Sequence, residues 1–328
     1  MPFILVTNWV HDAVLTRLSA IGAVEVNRER APWPRAEVLR RARKAAAVLA
    51  FMSDRVDREF LAACPQLKVV ACALKGFDNF DIEACAEAGV WVSIVPDLLT
   101  EPTAELAVGL AIGLGRHIRD GDALVRSGGF DGWRPILYGT GFDDATVAIV
   151  GMGKVGCAIA RRLAGFGCRL IGIDPRLSNP PGATPAELHE ALPLADYVFV
   201  AAPLARDTHH LIGRTELAAM KPQALLINVG RGSVVDETAV ADALADDRLG
   251  GYAADVFAME DWALADRPRG IDPRLLAHPR TLFTPHLGSA VDRVRLAIAM
   301  RAADNIADAL EGRAPRDAIN APSRIGCV

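Results

Sequence analysis

Ala145-Thr-Val-Ala-Ile-Val-Gly-Met-Gly-Lys-Val-Gly156 is the stretch on which the fold turns. Residues 145–150 form an apolar, β-branched run that predicts a buried strand, and residues 157–166 have helical spacing. Between them stands a GxGxxG pattern, which by itself also marks ordinary turns. At a strand-to-helix junction it predicts a phosphate site. Gly151 permits the tight turn, Gly153 lets the backbone approach a pyrophosphate at the helix start, and Gly156 lets helix and strand pack closely. Asp174, at the end of the next strand, is near the distance expected of a ribose-binding acid. A carboxylate there accepts from both ribose hydroxyls and repels a 2′-phosphate, so NAD is the expected cofactor. Arg176, two residues on, admits some use of NADP. Met152, Lys154 and Val155 complete the loop. Pro175, Pro203, Val229, Asp255 and His286 are read as further cofactor neighbours.

Outward from this loop, apolar runs recur at 168–173, 196–201, 224–228, 251–256 and 281–284, separated by stretches of helical spacing. With 145–150 they make six strands, enough for a complete Rossmann-type doubly wound parallel sheet. Upstream, runs at 3–7, 23–26, 46–51, 67–72 and 90–93 predict a smaller five-stranded α/β unit. Residues 102–127 read as one long helix, with Pro102 suited to a first helical position and Gly128-Gly129 to an ending. It is apolar on nearly all sides, and a place between domains is expected. Helical spacing returns at 291–310, and because chain termini often lie close together the end is expected to rejoin the first unit. The expected division is a discontinuous substrate domain, 1–98 plus 288–328, and a nucleotide domain, 99–287.

Composition narrows the function classes. The chain has 328 residues, 51% hydrophobic and 23% charged, with a net charge of −4. That is a globular composition with two cores' worth of chain. Its 36 Lys and Arg residues are dispersed, so neither nucleic acid nor a membrane surface is an expected partner. The longest apolar run, 106–115, is too short to span a bilayer. No signal-like leader precedes Phe3, and a cytoplasmic location is expected. Cys64, Cys72, Cys85, Cys157, Cys168 and Cys327 show no metal-ligand spacing and read as reduced thiols, with no metal site.

Four segments resemble the D-isomer-specific 2-hydroxyacid dehydrogenase family: Gly151–Gly156, Ile227-Asn-Val-Gly-Arg-Gly-Ser-Val-Val-Asp236, Ala254-Asp-Val-Phe-Ala-Met-Glu260 and Thr284-Pro-His-Leu-Gly-Ser289. Three more segments are similar to the phosphite (phosphonate) dehydrogenases within it. These are Ala73-Leu-Lys-Gly-Phe-Asp-Asn-Phe-Asp81, Gly132-Trp-Arg-Pro-Ile-Leu-Tyr-Gly139 and Glu260-Asp-Trp-Ala-Leu-Ala-Asp-Arg-Pro268. The resemblance implies a flavodoxin-like substrate domain, a homodimer, and a small anionic substrate, phosphite, oxidised with NAD.

By that resemblance Arg231 holds the substrate anion beside the nicotinamide, a role for which its planar guanidinium offers two parallel hydrogen bonds. Of the seven histidines, His286 alone follows a strand at the carboxyl edge of the sheet, and it is the candidate base. Glu260 is expected to accept the other imidazole N–H, with Asp261 as the adjacent alternative. Lys75 and Gly76, just past the strand 67–72, are candidates to meet the anion, where hydroxyacid dehydrogenases tend to carry a small residue. Were the domains to close over a cleft, Lys75 and Arg231 would approach the substrate from opposite sides. Met52, Trp133, Tyr138 and Ser289 are read as pocket neighbours. Core packing is the competing reading for Met52 and Trp133, and an interdomain contact for Tyr138. The same triad serves a rival function, a D-2-hydroxyacid dehydrogenase acting on lactate, glycerate or glyoxylate; an NAD-sensing, corepressor-like binding module would use the same scaffold, and the intact triad argues against it.

Overall fold

The computed structural model describes residues 1–262 and 264–322; Cys327 lies outside the described residues. The chain divides into two compact units, Met1–Leu99 joined by the chain from Ala290, and Thr100–Ser289.

The first unit is a parallel sheet of β1 (Phe3–Val6), β2 (Ala23–Val26), β3 (Ala47–Ala50), β4 (Val69–Cys72) and β5 (Trp91–Ser93), in the order β2-β1-β3-β4-β5. That order is the flavodoxin-like one. Strands covered on both faces read as continuous apolar runs. In β1, Ile4 and Val6 face one core and Leu5 the other. One face is covered by α1 (Asp12–Ser19) and by the C-terminal helix Asp292–Leu310, through Val14, Leu18, Ile298, Ala302 and Ile306. The other is covered by α2 (Arg35–Ala42), α3 (Arg58–Ala63) and α4 (Ile82–Glu87), through Val38, Phe60 and Cys85.

In the second unit α5 (Thr100–Gly115) and α6 (Ile118–Arg126) precede the sheet. The expected single helix 102–127 is therefore two, a correction whose cause is a tertiary contact. The Gly115 carbonyl accepts from Thr140 N at 2.9 Å, and Gly139 passes so close that a Cβ on it would lie 1.9 Å from the Gly115 oxygen. His117 then turns the chain in a left-handed conformation, φ 51°. The sheet comprises β6 (Thr146–Val150), β7 (Arg169–Ile173), the two-residue edge strand β8 (Thr184–Pro185), β9 (Tyr197–Val200), β10 (Leu225–Asn228), β11 (Gly251–Ala254) and β12 (Thr281–Phe283). Its order is β12-β11-β10-β9-β6-β7-β8, all parallel. β6 lies between β7 and β9, so the strand order reverses there, which is where doubly wound sheets bind ligands. α5 and α7 (Lys154–Leu163) bury Ala107, Ala111, Ile159 and Leu163 on one face. The other face is covered by α8 (Leu188–Ala191), α9 (Arg214–Ala219), α10 (Glu237–Ala245) and α11 (Pro273–Ala277), through Ala191, Leu217, Val240, Leu244 and Leu275. Among the described residues no helix is long and apolar enough to cross a membrane, and no cluster of three His, Cys, Asp or Glu is placed to hold a metal.

One buried acid in the first unit has a measurable consequence. Asp54 accepts from the Thr7 hydroxyl and from Phe51 N, and Asn79 donates to its backbone carbonyl. Burial pushes its carboxyl up to about 6, against the pull of the Thr7 and Phe51 hydrogen bonds. The fold thus holds this proton more tightly than the unfolded chain does. The associated stability is fully present below the unfolded carboxyl range and is lost as pH rises through about 6. A rise of about two units corresponds to about 3 kcal/mol. Asp54→Asn, which keeps an acceptor oxygen, should flatten the decline of the thermal unfolding midpoint between about pH 4 and pH 8. An identical decline in both proteins would refute this.

Candidate active site

The carboxyl edge of the seven-stranded sheet gathers most of the expected residues. Gly151 follows β6, Asp174 follows β7, Pro203 lies beyond β9, Val229 and Arg231 follow β10, Asp255 follows β11, and His286 lies beyond β12.

The glycine loop fits a dinucleotide pyrophosphate. Gly151 has φ 91°, and a Cβ there would lie 2.7 Å from Ala202 N. At Gly156 a Cβ would lie 2.0 Å from the Gly151 carbonyl oxygen, so only glycine lets α7 rise so close to the turn. Gly153, by contrast, faces open space, with nothing within 4 Å of an added Cβ. It is the N-cap of α7 and no side chain caps the helix. The first-turn N–H groups there lack intrahelical acceptors, and the helix dipole favours an anion in front of them. Asp174 accepts from Met152 N at 3.0 Å and from Arg176 N at 2.9 Å, which fixes its carboxylate against the loop. Pro175 and Arg176 are exposed beside it.

The residues expected to do chemistry sit on three consecutive turns. Arg231 leaves β10 through Val229 and Gly230. Asn228 braces that turn, donating to the Arg231 carbonyl at 3.0 Å and accepting from Gly230 N at 3.1 Å. Glu260 ends a short 3-10 turn, Ala258–Glu260. One of its carboxylate oxygens accepts from Phe257 N at 3.0 Å, and the other lies 2.7 Å from His286 Nδ1. A proton on Nδ1 donated to Glu260 leaves Nε2 of the neutral ring as a lone pair. His286 is held in the left-handed region at φ 56°, an uncommon state for a residue with a Cβ and a mark of functional sites. The alternative partner is set aside, because Asp261 is buried and accepts from Ser233 N at 2.7 Å.

Asp255 has a structural part in the site, and one expected role, that of Tyr138, needs correcting. Asp255, read as a cofactor neighbour, is buried with both oxygens engaged. One accepts from the Thr284 hydroxyl and Leu287 N, each at 2.6 Å, and the other from Gly288 N at 2.8 Å. It braces the His286 loop from the end of β11. Tyr138, read as lining the site, is 77% exposed at the opposite end of the sheet. There it borders a cavity of about 380 Å³ with Asp196, Gln223, Gly250 and Arg280, residues that precede β9, β10, β11 and β12. Trp133, 83% exposed on the same loop, is likewise not packed into a core. Of the other expected residues, Ser289 is the last of the second unit. The Pro203 carbonyl accepts from the Thr208 hydroxyl at 2.6 Å, and Val229 N continues the sheet to Val200.

Lys75, Gly76 and Met52 belong to the first unit, all half-buried. Lys75 and Gly76 come after β4 and Met52 after β3, with Met52 packed on that unit's core. Sequence reasoning missed a cation beside them. Arg295 of the C-terminal helix donates to the Ala73 carbonyl at 3.3 Å, and its guanidinium lies 5.9 Å from the Phe51 ring centre. Burial lowers its pKa. The available signal was its position, four residues before Ala299 and seven before Ala302, where a charge continues an apolar stripe.

Residues 108–288 match the family model described as D-isomer specific 2-hydroxyacid dehydrogenase, NAD binding domain. The glyoxylate reductase of Thermococcus litoralis is 32% identical, over 97% of this chain and 97% of its own length. That of Aeropyrum pernix is 34% identical, over 97% and 96%. Among solved structures, a protein from Thermus thermophilus superposes with a TM-score of 0.88 at 36% identity, covering 97% of this chain and 100% of that one. The NADPH-dependent glyoxylate/hydroxypyruvate reductase of Sinorhizobium meliloti, in complex with citrate, has a TM-score of 0.83 at 27% identity, covering 98% and 99%. With its glycine loop, its two parallel sheets and a family match across the second unit, this chain belongs to the D-isomer-specific 2-hydroxyacid dehydrogenase family and carries that family's NAD-binding domain.

Proposed function

We propose that the chain interconverts a small 2-oxo acid of the glyoxylate class and its D-2-hydroxy acid, with Arg231, Glu260 and His286 as the acting residues. The observation that carries this reading is the His286–Glu260 pair, 2.7 Å apart, on the same sheet edge as the Arg231 turn. The named relatives support the substrate class, since glyoxylate reductases align over 97% of the chain. Bound at the glycine loop, NAD supplies the hydride chemistry. Arg231 holds the substrate carboxylate through two parallel hydrogen bonds and so orients the adjacent carbon. His286 Nε2 gives a proton to the carbonyl oxygen on reduction and takes it from the hydroxyl on oxidation. Glu260, at Nδ1, fixes the tautomer and stabilises the imidazolium.

A second reading, phosphite oxidation to phosphate, rests on Lys75 and on the three segments similar to phosphite dehydrogenases. There His286 would take a proton from the water that attacks phosphorus as the P–H hydrogen leaves as hydride. Phosphite has three equivalent oxygens, and a second cation suits it better than it suits a monocarboxylate. The relatives carry the glyoxylate reductase name and lend phosphite no support.

One panel separates these readings: NADH consumption with glyoxylate and hydroxypyruvate, and NADH formation with phosphite, D-glycerate and D-lactate. Turnover of glyoxylate is expected. Phosphite-dependent NADH formation that falls in Lys75→Ala would install the second reading. NAD binding without turnover of any of these acids would favour the corepressor-like module. With the substrate that works, Arg231→Ala should lower kcat/KM by about 10³-fold. Glu260→Gln should lower kcat by at least about tenfold with little change in KM, which marks an interaction strengthened in the transition state.

The nucleotide preference has its own test. Asp174→Ala removes the carboxylate that repels a 2′-phosphate and leaves Arg176 beside the ribose position. The ratio of kcat/KM for NADP to that for NAD should rise by at least about tenfold. An unchanged ratio would remove Asp174 from the ribose site.

A further inference from the structure

Two buried carboxylates, Glu237 and Asp261, are left over once Arg231, Glu260 and His286 have been assigned. Both lie where the Arg231 turn crosses the Glu260 turn. The crossing is tight: a Cβ on Gly232 would stand 1.8 Å from the Phe257 carbonyl carbon and 2.0 Å from Ala258 N. Two hydrogen bonds run across it in opposite directions. Asp261, just past the Glu260 turn, accepts from Ser233 N at 2.7 Å. Glu237, opening α10 just past the Arg231 turn, accepts from Ala258 N at 2.7 Å. Ser233 is 2% exposed, Ala258 6%, Glu237 7% and Asp261 1%, so water does not compete for either bond.

We infer that Glu237 and Asp261 are positioning residues: as reciprocal buried acceptors they lock the turn that carries Arg231 to the turn that carries Glu260. The anion-holding guanidinium and the proton-transferring pair then move as one body. Glu260 has one oxygen bonded to Phe257 N inside its own turn, which leaves the other to meet His286. A shift of that turn therefore moves the oxygen that faces the imidazole. Displacements of about 1 Å at such a pair can cost about 10²-fold in rate.

The arrangement is electrostatically expensive, which argues against simple filling of space. Burial, with the nearby charges of Asp261, Glu260 and Asp272, pushes Glu237 up to about 7, against the pull of the Ala258 hydrogen bond. Tyr252 of β11 also feels Glu237. Arg274 on α11 is bonded to Asp272 and Asp242, and Arg214 on α9 to Asp242. An apolar side chain would avoid that cost but would leave Ala258 N buried without this acceptor.

The inference rests on the proposed roles of Arg231, Glu260 and His286, and its test separates the two. In the full-length protein with NAD bound, Glu237→Ala should lower kcat about tenfold or more with KM for the acid changed less than about threefold. Glu237→Gln, which retains an acceptor oxygen, should restore at least half the rate. In a Glu260→Gln background the further loss on Glu237→Ala should shrink to less than about twofold, because the two act through one contact. Independently of any substrate, carbethoxylation of His286, followed by peptide mass spectrometry, should slow at least about threefold in Glu237→Ala as Glu260 leaves Nδ1. Unchanged labelling, or fully multiplicative losses in the double variant, would overturn the positioning role. If no acid is turned over but labelling slows, the substrate reading fails and the positioning stands. NAD affinity and the unfolding midpoint identify variants that have simply lost the fold.

Discussion

A carboxylate taken out of water must find enough donors to replace its hydration, and Asp255 meets that demand in a way that builds the site. It stands at the end of β11, and its donors are the Thr284 hydroxyl and the amides of Leu287 and Gly288. These bracket His286, whose own N–H bonds the Asp255 carbonyl at 2.9 Å. The loop is thereby bent so that His286 occupies a left-handed conformation and presents Nδ1 to Glu260. Burial raises the Asp255 carboxyl above its usual range, a sign of how completely it depends on those donors.

The same logic of satisfied polar groups extends along the sheet edge. Asn228 closes the Arg231 turn, Asp261 and Glu237 tie that turn to the next, and Asp174 is set against the glycine loop by two backbone amides. Asp174 sits just past the end of a parallel strand, Glu237 at the start of the following helix and Asp261 just past the short Ala258–Glu260 turn, all at element ends, where backbone groups lack partners within their own element. The strands supply a rigid edge, and side chains that bond the backbone convert it into fixed positions for a guanidinium, an imidazole and a carboxylate. Where no side chain caps α7, the free amide groups face open space and suit a phosphate.

Most of the fold was legible because strands buried on both faces must be apolar along their whole length. The eleven expected strands all occur within two residues of their expected ends, and among the described residues only the edge strand Thr184–Pro185 was unforeseen. It is two exposed residues long and carries no apolar pattern to read. The helix 102–127 was misjudged because apolar spacing continues through its break, while the cause of the break, the close approach of Gly139 to the Gly115 carbonyl, is 24 residues away in sequence. Arg295 escaped for a related reason: an arginine in an amphipathic helix looks solvated until the fold shows which stripe it lies on.

By itself the sequence determined the order of strands and helices, the nucleotide loop with its acid, and the residue types at each strand end, because these depend on local conformation and on periodicity. The tertiary structure decided which of those residues meet. It paired His286 with Glu260 and not with Asp261, and set Asp255 as the brace of the His286 loop. It also set Tyr138 at the far edge of the sheet and joined the Arg231 and Glu260 turns through two buried acids. Such choices follow from distance and burial, and residues as alike in sequence as Glu260 and Asp261 differ in neither until the chain has folded.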